Sequence, residues 1–178
     1  NRAAAWSYLQ DWAAAVRDFI DRRKHAGVNR NIHGRYGTDR LGLIAYAGYA
    51  WTQVPLTLDY AILENGLEDA VVDEGEPKRR GTAIGSALGL AVSKLMHSES
   101  ASKVIVLLTD GRNNKGALDP VTAAHIAKNY GIRIYTIGAG TGGVVRVPRK
   151  LPSGETHVIQ AHIPLDEDML RELAAITN

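Results

Sequence analysis

The chain has 178 residues, of which 45% are hydrophobic, and this length and composition predict one globular domain with a single core. Its 21 basic residues nearly balance its 19 acidic residues, so the charge content indicates neither a nucleic-acid-binding tract nor a strongly acidic tail. The chain contains no cysteine, which excludes a disulfide framework and a thiolate metal site.

The first predicted element is an amphipathic helix. Apolar residues recur at steps of three and four from Trp6 to Ile20, and this helix is predicted to end near Arg22 to Lys24. Residues 25–38 are polar, include glycine and have no period, which indicates an exposed connection.

Two strands are predicted next. Residues 40–48 and 50–58 are apolar runs separated by a short link, so we expect a hairpin that turns at Gly48 and Tyr49. Pro55 has no backbone N–H to donate, which places the second strand at an edge of its sheet.

Helices and strands alternate along the rest of the chain. Asp59 caps a predicted helix that runs through about Val72, and residues 73–81 form a charged loop. The elements predicted after it are a helix over 82–96, a strand over 103–109 that is apolar on both faces, a helix started by Asp119 and Pro120 and closed by Gly131, a strand over 132–140, a loop over 141–154, a strand over 156–163 and a helix over 166–176. This alternation predicts an α/β fold with a Rossmann-like open sheet.

The central predicted strand ends in a carboxylate. The segment VIVLLTDGRNNKG runs from the apolar strand directly into Asp110 and Gly111. Ligands of open α/β sheets lie at the carboxyl ends of the strands, so we expect the loops after residues 48, 109 and 140 to gather at one rim. A carboxylate held there suits a hard divalent cation, although an Asp-Gly pair is also a common turn.

Thr82 offers a second oxygen at the start of a predicted helix. It follows Gly81 in the segment RRGTAIGSAL. Its hydroxyl would serve either as an ion ligand together with Asp110 or as an ordinary helix N-cap, and the residues alone leave both readings open.

Several segments, in this order, resemble the von Willebrand factor A domain, and most closely its bacterial Bat-type subgroup from aerotolerance gene clusters. They are DRLGLIAYAG, TQVPLTLD, GTAIGSAL, VIVLLTDGRNNKG, DPVTAAHIAKNYGIRIYTIGAG and DEDMLRELAAIT. In that family a metal-ion-dependent adhesion site combines an Asp-x-Ser-x-Ser motif, a threonine and an aspartate. The resemblance assigns Thr82 and Asp110 to the last two roles and implies Mg²⁺ or Mn²⁺ as the ion. It also implies a mostly parallel sheet with one antiparallel edge strand and helices on both faces.

One part of the family pattern is missing. No Asp-x-Ser-x-Ser motif occurs in the 178 residues, so the resemblance describes residues 1–178 as a single domain without its first strand. In the family this strand lies between the partners of residues 40–48 and 103–109. We expect a preceding segment or another polypeptide, including a second copy of the chain, to supply it, unless the sheet is rearranged around the gap.

The predicted function is metal-dependent protein–protein interaction. Open positions on the ion would accept an acidic side chain from a partner protein, and basic rim residues would steer that partner. These basic residues are Arg112, Lys115, Arg146, Arg149 and Lys150. The predicted partner-binding residues are Gly81, Gly111, Arg112 and Tyr49. Trp51 would act as a further anchor or pack under the edge strand.

Two alternatives stay open at this level. The chain would associate without metal through exposed sheet edges, or it would be a Mg²⁺-dependent hydrolase. An enzyme is not predicted, because the sequence has no Walker-type loop, no dinucleotide fingerprint in its strand–helix context and no nucleophile elbow. The resemblance implies a bacterial setting and a soluble domain tethered to the inner membrane by segments outside this chain. It also implies cooperation with a MoxR-type AAA+ ATPase. The balanced charge content predicts no nucleic-acid partner.

Overall fold

The computed structural model describes residue 18 and residues 39–70, 81–109, 112–139, 144–150, 156–162 and 165–178. In chain order these ranges contain β1 (Leu41–Tyr46), β2 (Ala50–Thr57), α1 (Tyr60–Glu68), α2 (Ile84–Leu95), β3 (Lys103–Thr109), α3 (Pro120–Asn129), β4 (Ile132–Gly138), β5 (Val144–Lys150), β6 (Thr156–His162) and α4 (Glu167–Thr177). The predicted α/β class is therefore confirmed. Of the helix predicted over residues 6–20, the structure describes Asp18 alone, which is helical and exposed, and the rest lies outside the described residues.

The strands pair two by two. β3 and β4 are parallel, in register from Lys103 opposite Ile132 to Thr109 opposite Gly138. β1 and β2 form an antiparallel pair, and so do β5 and β6. Within the described ranges no hydrogen-bonded pairing joins one of these pairs to another. The parallel pair agrees with the predicted open sheet, and the structure adds a second antiparallel pair.

The predicted first hairpin is confirmed. Residues 47–49 form the turn between β1 and β2, and Pro55 is exposed on β2. In the described part of the chain β2 pairs with β1 alone, which agrees with the edge position that proline favours.

The loop predicted over residues 141–154 is wrong in part, because β5 lies inside it and pairs with β6 along its whole length. Val144, Val145 and Val147 favour an extended backbone, a signal that the surrounding glycine and proline obscured. Pro148 is compatible with the strand because β5 has one strand neighbour among the described residues.

The main core lies between three helices and one face of the parallel pair. Its buried residues are Ile84, Leu88 and Val92 of α2, Ile105 and Leu107 of β3, Ala123, Ala124 and Ala127 of α3, Ile132 and Ile134 of β4, and Leu170 and Leu173 of α4. A smaller cluster forms where α1 packs on the first hairpin and contains Val54, Tyr60 and Leu63 with partly buried Leu41 and Leu43. The helical period of residues 82–96 predicts an inward face, which is confirmed in α2. Its members are Ile84 and Leu88, which are buried in the main core, and Ala91 and Leu95, which pack against it.

β3 is buried on one face only. Ile105 and Leu107 lie in the core, whereas Val104 and Val106 are 43% and 59% exposed. The sequence predicts burial on both faces, and the difference arises because the buried residues of α2, α3 and α4 all cluster with Ile105 and Leu107.

α4 packs beside β4 and bonds to it through two threonines. The Ile134 N–H donates to Thr177 Oγ1 at 2.9 Å, and the Thr136 hydroxyl donates to the Leu170 carbonyl oxygen at 3.0 Å. A polar side chain of the last helical turn therefore satisfies a backbone amide of β4.

The carboxyl ends of β1, β3 and β4 meet at one end of the fold. The Ala139 N–H donates to the Thr109 carbonyl oxygen at 2.7 Å, which ties the end of β4 to the end of β3. The Tyr46 hydroxyl, at the end of β1, donates to the Leu108 carbonyl oxygen. We call this end of the fold, with the segments 47–49, 81–83 and 112–119, the strand-end rim.

The start of α3 illustrates the local stabilisation of this fold. Asp119 Oδ2 accepts a hydrogen bond from the Thr122 N–H at 2.9 Å, and Pro120 occupies the first helical turn. We expect Asp119→Ala to lower the free energy of unfolding by about 1 kcal/mol, because a helix-start amide loses its acceptor.

Denaturant unfolding followed by circular dichroism measures this loss. Asp168→Ala is the matched control, because the Asp168 carboxylate is 99% exposed and only pairs weakly with Arg171 at 3.8 Å. We expect this control to change stability by less than about 0.5 kcal/mol. Equal losses in the two variants would contradict the capping role of Asp119.

Candidate metal and partner site

Thr82 lies where the loops after β1 and β3 meet. On one side, the Ala83 N–H donates to the Ala47 carbonyl oxygen at 2.7 Å. On the other side, the Asn114 and Lys115 N–H groups donate to the Thr82 carbonyl oxygen at 3.0 and 3.2 Å. Both loops are therefore fastened to the short segment that carries Thr82, as expected for a rim built from strand ends.

Thr82 does not cap α2. The N-cap position is Ala83, and no side chain at that position accepts a hydrogen bond. Asn113 Oδ1 instead accepts from the Ile84 N–H at 2.9 Å and from the Gly85 N–H at 3.4 Å. A side chain from the loop after β3 thus replaces the local cap that the sequence offers.

The Thr82 hydroxyl is available for another role. The residue is half-buried, and no other described residue forms a hydrogen bond with its hydroxyl, since its bonds run through its backbone N–H and carbonyl. The hydroxyl oxygen of threonine is a hard ligand atom, which is the chemistry that Mg²⁺ and Mn²⁺ prefer. Thr82 therefore fits the ligand role that the family resemblance gives it.

Asp110 and Gly111 lie outside the described residues, so the pairing of Thr82 with Asp110 stays a prediction. Their neighbours are described: Thr109 is 4% exposed at the end of β3, and Arg112 begins the segment that reaches Thr82. Within the described ranges, no group of three or more His, Cys, Asp and Glu side chains is placed to hold a metal ion.

The predicted basic residues of the rim have different environments. Arg112 Nε lies 3.8 Å from Asp166 Oδ2, and these side chains are 58% and 33% exposed. Lys115 packs beside Gly81, where an added Cβ would come within 2.4 Å of the lysine Cγ. The side chains of Arg146, Arg149 and Lys150 lie outside the description. Arg112 is therefore partly neutralised by an acidic neighbour, whereas Lys115 stays close to the Thr82 segment.

Tyr49 lies on the turn that contacts the Thr82 segment. It is 38% exposed, and its ring centroid is 5.3 Å from that of Trp51, with the rings tilted at 47°. Trp51 is half-buried, and its Nε1–H donates to Gln53 Oε1 at 2.9 Å. Tyr49 thus presents an aromatic ring at the rim, while Trp51 supports it from within the hairpin.

Sequence reasoning missed Asn113 and Asn114. Asn114 Oδ1 accepts from the Thr82 N–H at 2.9 Å, which complements the Asn113 bonds to the start of α2. Asparagine is among the preferred acceptors for helix-start amides, but that preference is normally applied to residues next to the helix in sequence. The available signal was a pair of asparagines directly after a strand-end Asp-Gly-Arg segment.

A family model and several curated proteins match this chain. A family model for the von Willebrand factor type A domain matches residues 10–164. An uncharacterized protein of Borreliella burgdorferi is 31% identical over 160 residues, which cover 89% of this chain and 42% of the relative. The chain spans about half or less of the length of the curated relatives it matches.

Solved structures are similar over nearly the whole chain. An aerotolerance-related membrane protein from Bacteroides fragilis has 28% identity and a TM-score of 0.69, covering 96% of this chain and 77% of that one. The protein BatB from Bacteroides thetaiotaomicron has 27% identity and a TM-score of 0.67, covering 95% of this chain and 76% of that one.

A mussel byssus protein has a similar fold. Proximal thread matrix protein 1, in a structure with a zinc-occupied MIDAS motif, has 24% identity and a TM-score of 0.57, covering 76% of this chain and 34% of that one. Among the described residues of the present chain, no helix is both long and apolar enough to span a membrane.

Proposed function

The chain belongs to the von Willebrand factor type A domain family, and we propose that it is a protein-interaction domain that binds its partner through a divalent cation at the strand-end rim. Thr82 and Asp110 are the proposed ion ligands, with Mg²⁺ or Mn²⁺ as the ion. One observation carries this proposal: Thr82 is half-buried at the junction of two loops, and its hydroxyl is not used as a helix cap.

The proposed partner is a protein that offers an acidic side chain. A carboxylate would complete the coordination of an ion held by a hydroxyl and one carboxylate of this chain. Lys115 next to Gly81 supports this choice of charge, and the exposed ring of Tyr49 offers an anchor on the neighbouring turn. These groups surround the Thr82 segment on both sides.

The biological setting is proposed from the relatives. The similar structures include an aerotolerance-related membrane protein and BatB, both from bacteria. We propose the same setting here: a bacterial domain held at the inner membrane by segments outside residues 1–178 and working with a MoxR-type AAA+ ATPase.

The remaining ion ligands are proposed to arrive on an additional strand between β1 and β3. In the described part of the chain, each of these strands pairs with one neighbour. The carboxyl ends of β1 and β3 are joined by a hydrogen bond from the Tyr46 hydroxyl to the Leu108 carbonyl oxygen. Because the length of the tyrosine side chain lies between the two backbones, the strands are further apart than the spacing of about 4.8 Å between paired strands. A preceding segment or another polypeptide would supply this strand.

Ion uptake tests the proposal. We expect Mn²⁺ to bind the full-length protein in calorimetry and Thr82→Val to weaken that binding at least about tenfold, because the variant keeps the side-chain shape and loses the ligand oxygen. Asp110→Asn should have a similar or larger effect, because it removes a negative charge.

Two controls accompany these variants. Thr52→Val removes a half-buried hydroxyl on β2, and Asp69→Asn neutralises an exposed carboxylate at the end of α1. Neither control should change Mn²⁺ affinity. Unaltered Mn²⁺ binding in both Thr82→Val and Asp110→Asn would refute the ion site.

A second candidate function rests on a separate observation. Val104 and Val106 of β3, and Tyr135 and Ile137 of β4, are between 43% and 59% exposed on one face of the parallel pair. Such a face would support a metal-independent interaction or self-association. Sedimentation in EDTA separates the two functions, because only this second one predicts an assembly that survives removal of the ion.

A Mg²⁺-dependent hydrolase has less support, because the sequence lacks a phosphate-binding loop and a nucleophile elbow.

A further inference from the structure

Two consecutive asparagines hold the Thr82 segment in place. Asn113 Oδ1 accepts from the Ile84 N–H at 2.9 Å, and Asn114 Oδ1 accepts from the Thr82 N–H at 2.9 Å. Both acceptors come from the loop after β3, about thirty residues further along the chain. Adjacent side chains of one loop thus bind two amides, those of Thr82 and Ile84, on either side of Ala83.

The same loop also holds Thr82 from its carbonyl side. The N–H groups of Asn114 and Lys115 donate to the Thr82 carbonyl oxygen at 3.0 and 3.2 Å. Both peptide groups that flank the Thr82 side chain are therefore bound to residues 114 and 115. This leaves the threonine little backbone freedom and fixes the direction in which its Cα–Cβ bond points.

Close packing between the loops reinforces this arrangement. Gly81 has a φ of +115°, and Gly116 has a φ of +97°. An added Cβ at Gly81 would lie 2.4 Å from Lys115 Cγ, and one at Gly116 would lie 2.5 Å from Ser86 Oγ. Gly81 thus lies where the 112–119 segment approaches, and Gly116 lies where the start of α2 approaches, so both positions require a residue without a side chain.

The Asn113 bonds explain why the Thr82 hydroxyl does not cap α2. A threonine before a helix ordinarily turns its hydroxyl onto the helix-start amides. Here Asn113 occupies the Ile84 and Gly85 amides, so capping does not compete for the threonine oxygen. We propose that Asn113 and Asn114 are positioning residues that hold the Thr82 hydroxyl ready for the ion, an inference that rests on the proposed function.

A double-mutant cycle on the full-length protein tests this role, with Mn²⁺ affinity as the readout. We expect Asn113→Ala to weaken Mn²⁺ binding about tenfold, as removal of a group that orients a metal ligand typically does. In a Thr82→Val background the same substitution should change affinity by less than about twofold, because the oxygen that it positions is already absent. The same pattern is expected for Asn114→Ala.

Two further variants control for a general loss of structure. Asn113→Asp keeps an acceptor oxygen at the same reach, and we expect at least wild-type Mn²⁺ affinity. Asn129→Ala removes an exposed asparagine at the end of α3 and should leave Mn²⁺ affinity unchanged. If Asn113→Ala does not fold, the other two variants still test the positioning role. That role predicts wild-type or higher Mn²⁺ affinity for Asn113→Asp and an affinity about tenfold lower for Asn114→Ala.

The outcomes separate the two proposals. Wild-type uptake of Mn²⁺ that survives in both alanine variants would overturn the positioning role and leave the ion site standing. Equal losses in the Thr82 and Thr82→Val backgrounds would also overturn it, because the asparagines would then affect Mn²⁺ affinity independently of the Thr82 hydroxyl. A wild-type protein that takes up no Mn²⁺ would overturn both proposals together.

Discussion

Leu88→Ala is expected to lower the free energy of unfolding by about 3 kcal/mol. Leu88 is 1% exposed and lies in the main core between α2, β3 and α3. Truncation to alanine removes buried methyl groups and leaves a cavity that the surrounding strands and helices fill only in part. Urea unfolding, with the change in midpoint multiplied by a common slope, gives the loss directly.

Leu90→Ala is the matched control for this substitution. Leu90 lies on the same helix and is half-buried, so the same chemical change removes fewer core contacts. We expect a loss well below that of Leu88→Ala, on the order of 1 kcal/mol. Comparable losses at the two positions would show that the assignment of the buried face of α2 is wrong.

Gly85→Ala is expected to destabilise the domain by about 2 kcal/mol, even though alanine is the better helix former. A Cβ at Gly85 would lie 1.9 Å from the Leu118 carbonyl oxygen and 2.9 Å from the Asp119 carbonyl carbon. Both neighbours are backbone atoms, so the segment before α3 has to move away from α2. This displacement outweighs the helix-propensity gain of about 1 kcal/mol.

Gly89→Ala provides the comparison one helical turn later. A Cβ there would meet Leu118 Cδ2 at 2.6 Å, which is the far end of a side chain that can rotate. We expect a change within about 0.5 kcal/mol of the wild type, because the leucine adjusts and the helix gains propensity. Thermal unfolding of the two variants side by side measures the difference. A Gly85→Ala protein as stable as Gly89→Ala would contradict the close approach of α2 to Leu118.

Local patterns predicted most of the fold. The bounds of β3, the cap at Asp119 and the inward face of α2 follow from apolar runs, capping chemistry and the helical period, which depend on residues close in sequence. β5 was missed because glycine and proline dominate its surroundings, although Val144 and Val145 indicate an extended backbone.

The site was harder to predict for a physical reason. The segments that meet at Thr82 come from three parts of the chain, and the cap on α2 comes from Asn113, separated by 29 residues from its partner Ile84. No local rule connects those positions, because the bond exists only once β3 and α2 have packed. The residues made Thr82 a candidate ligand or helix cap and the resemblance favoured the ligand role, but only the structure shows that Asn113 bonds the start of α2 in its place.

The bond between α4 and β4 bears on aggregation. An outer strand edge with free amides can recruit a strand from another molecule and start an assembly. The Thr177 hydroxyl accepts the hydrogen bond of the Ile134 amide, so the last turn of α4 prevents another strand from pairing with β4 at this amide. A shortened version of the chain that ends before Thr177 would expose that amide and lower the barrier to edge-to-edge association. The final helical turn is therefore worth keeping in any expression of this domain.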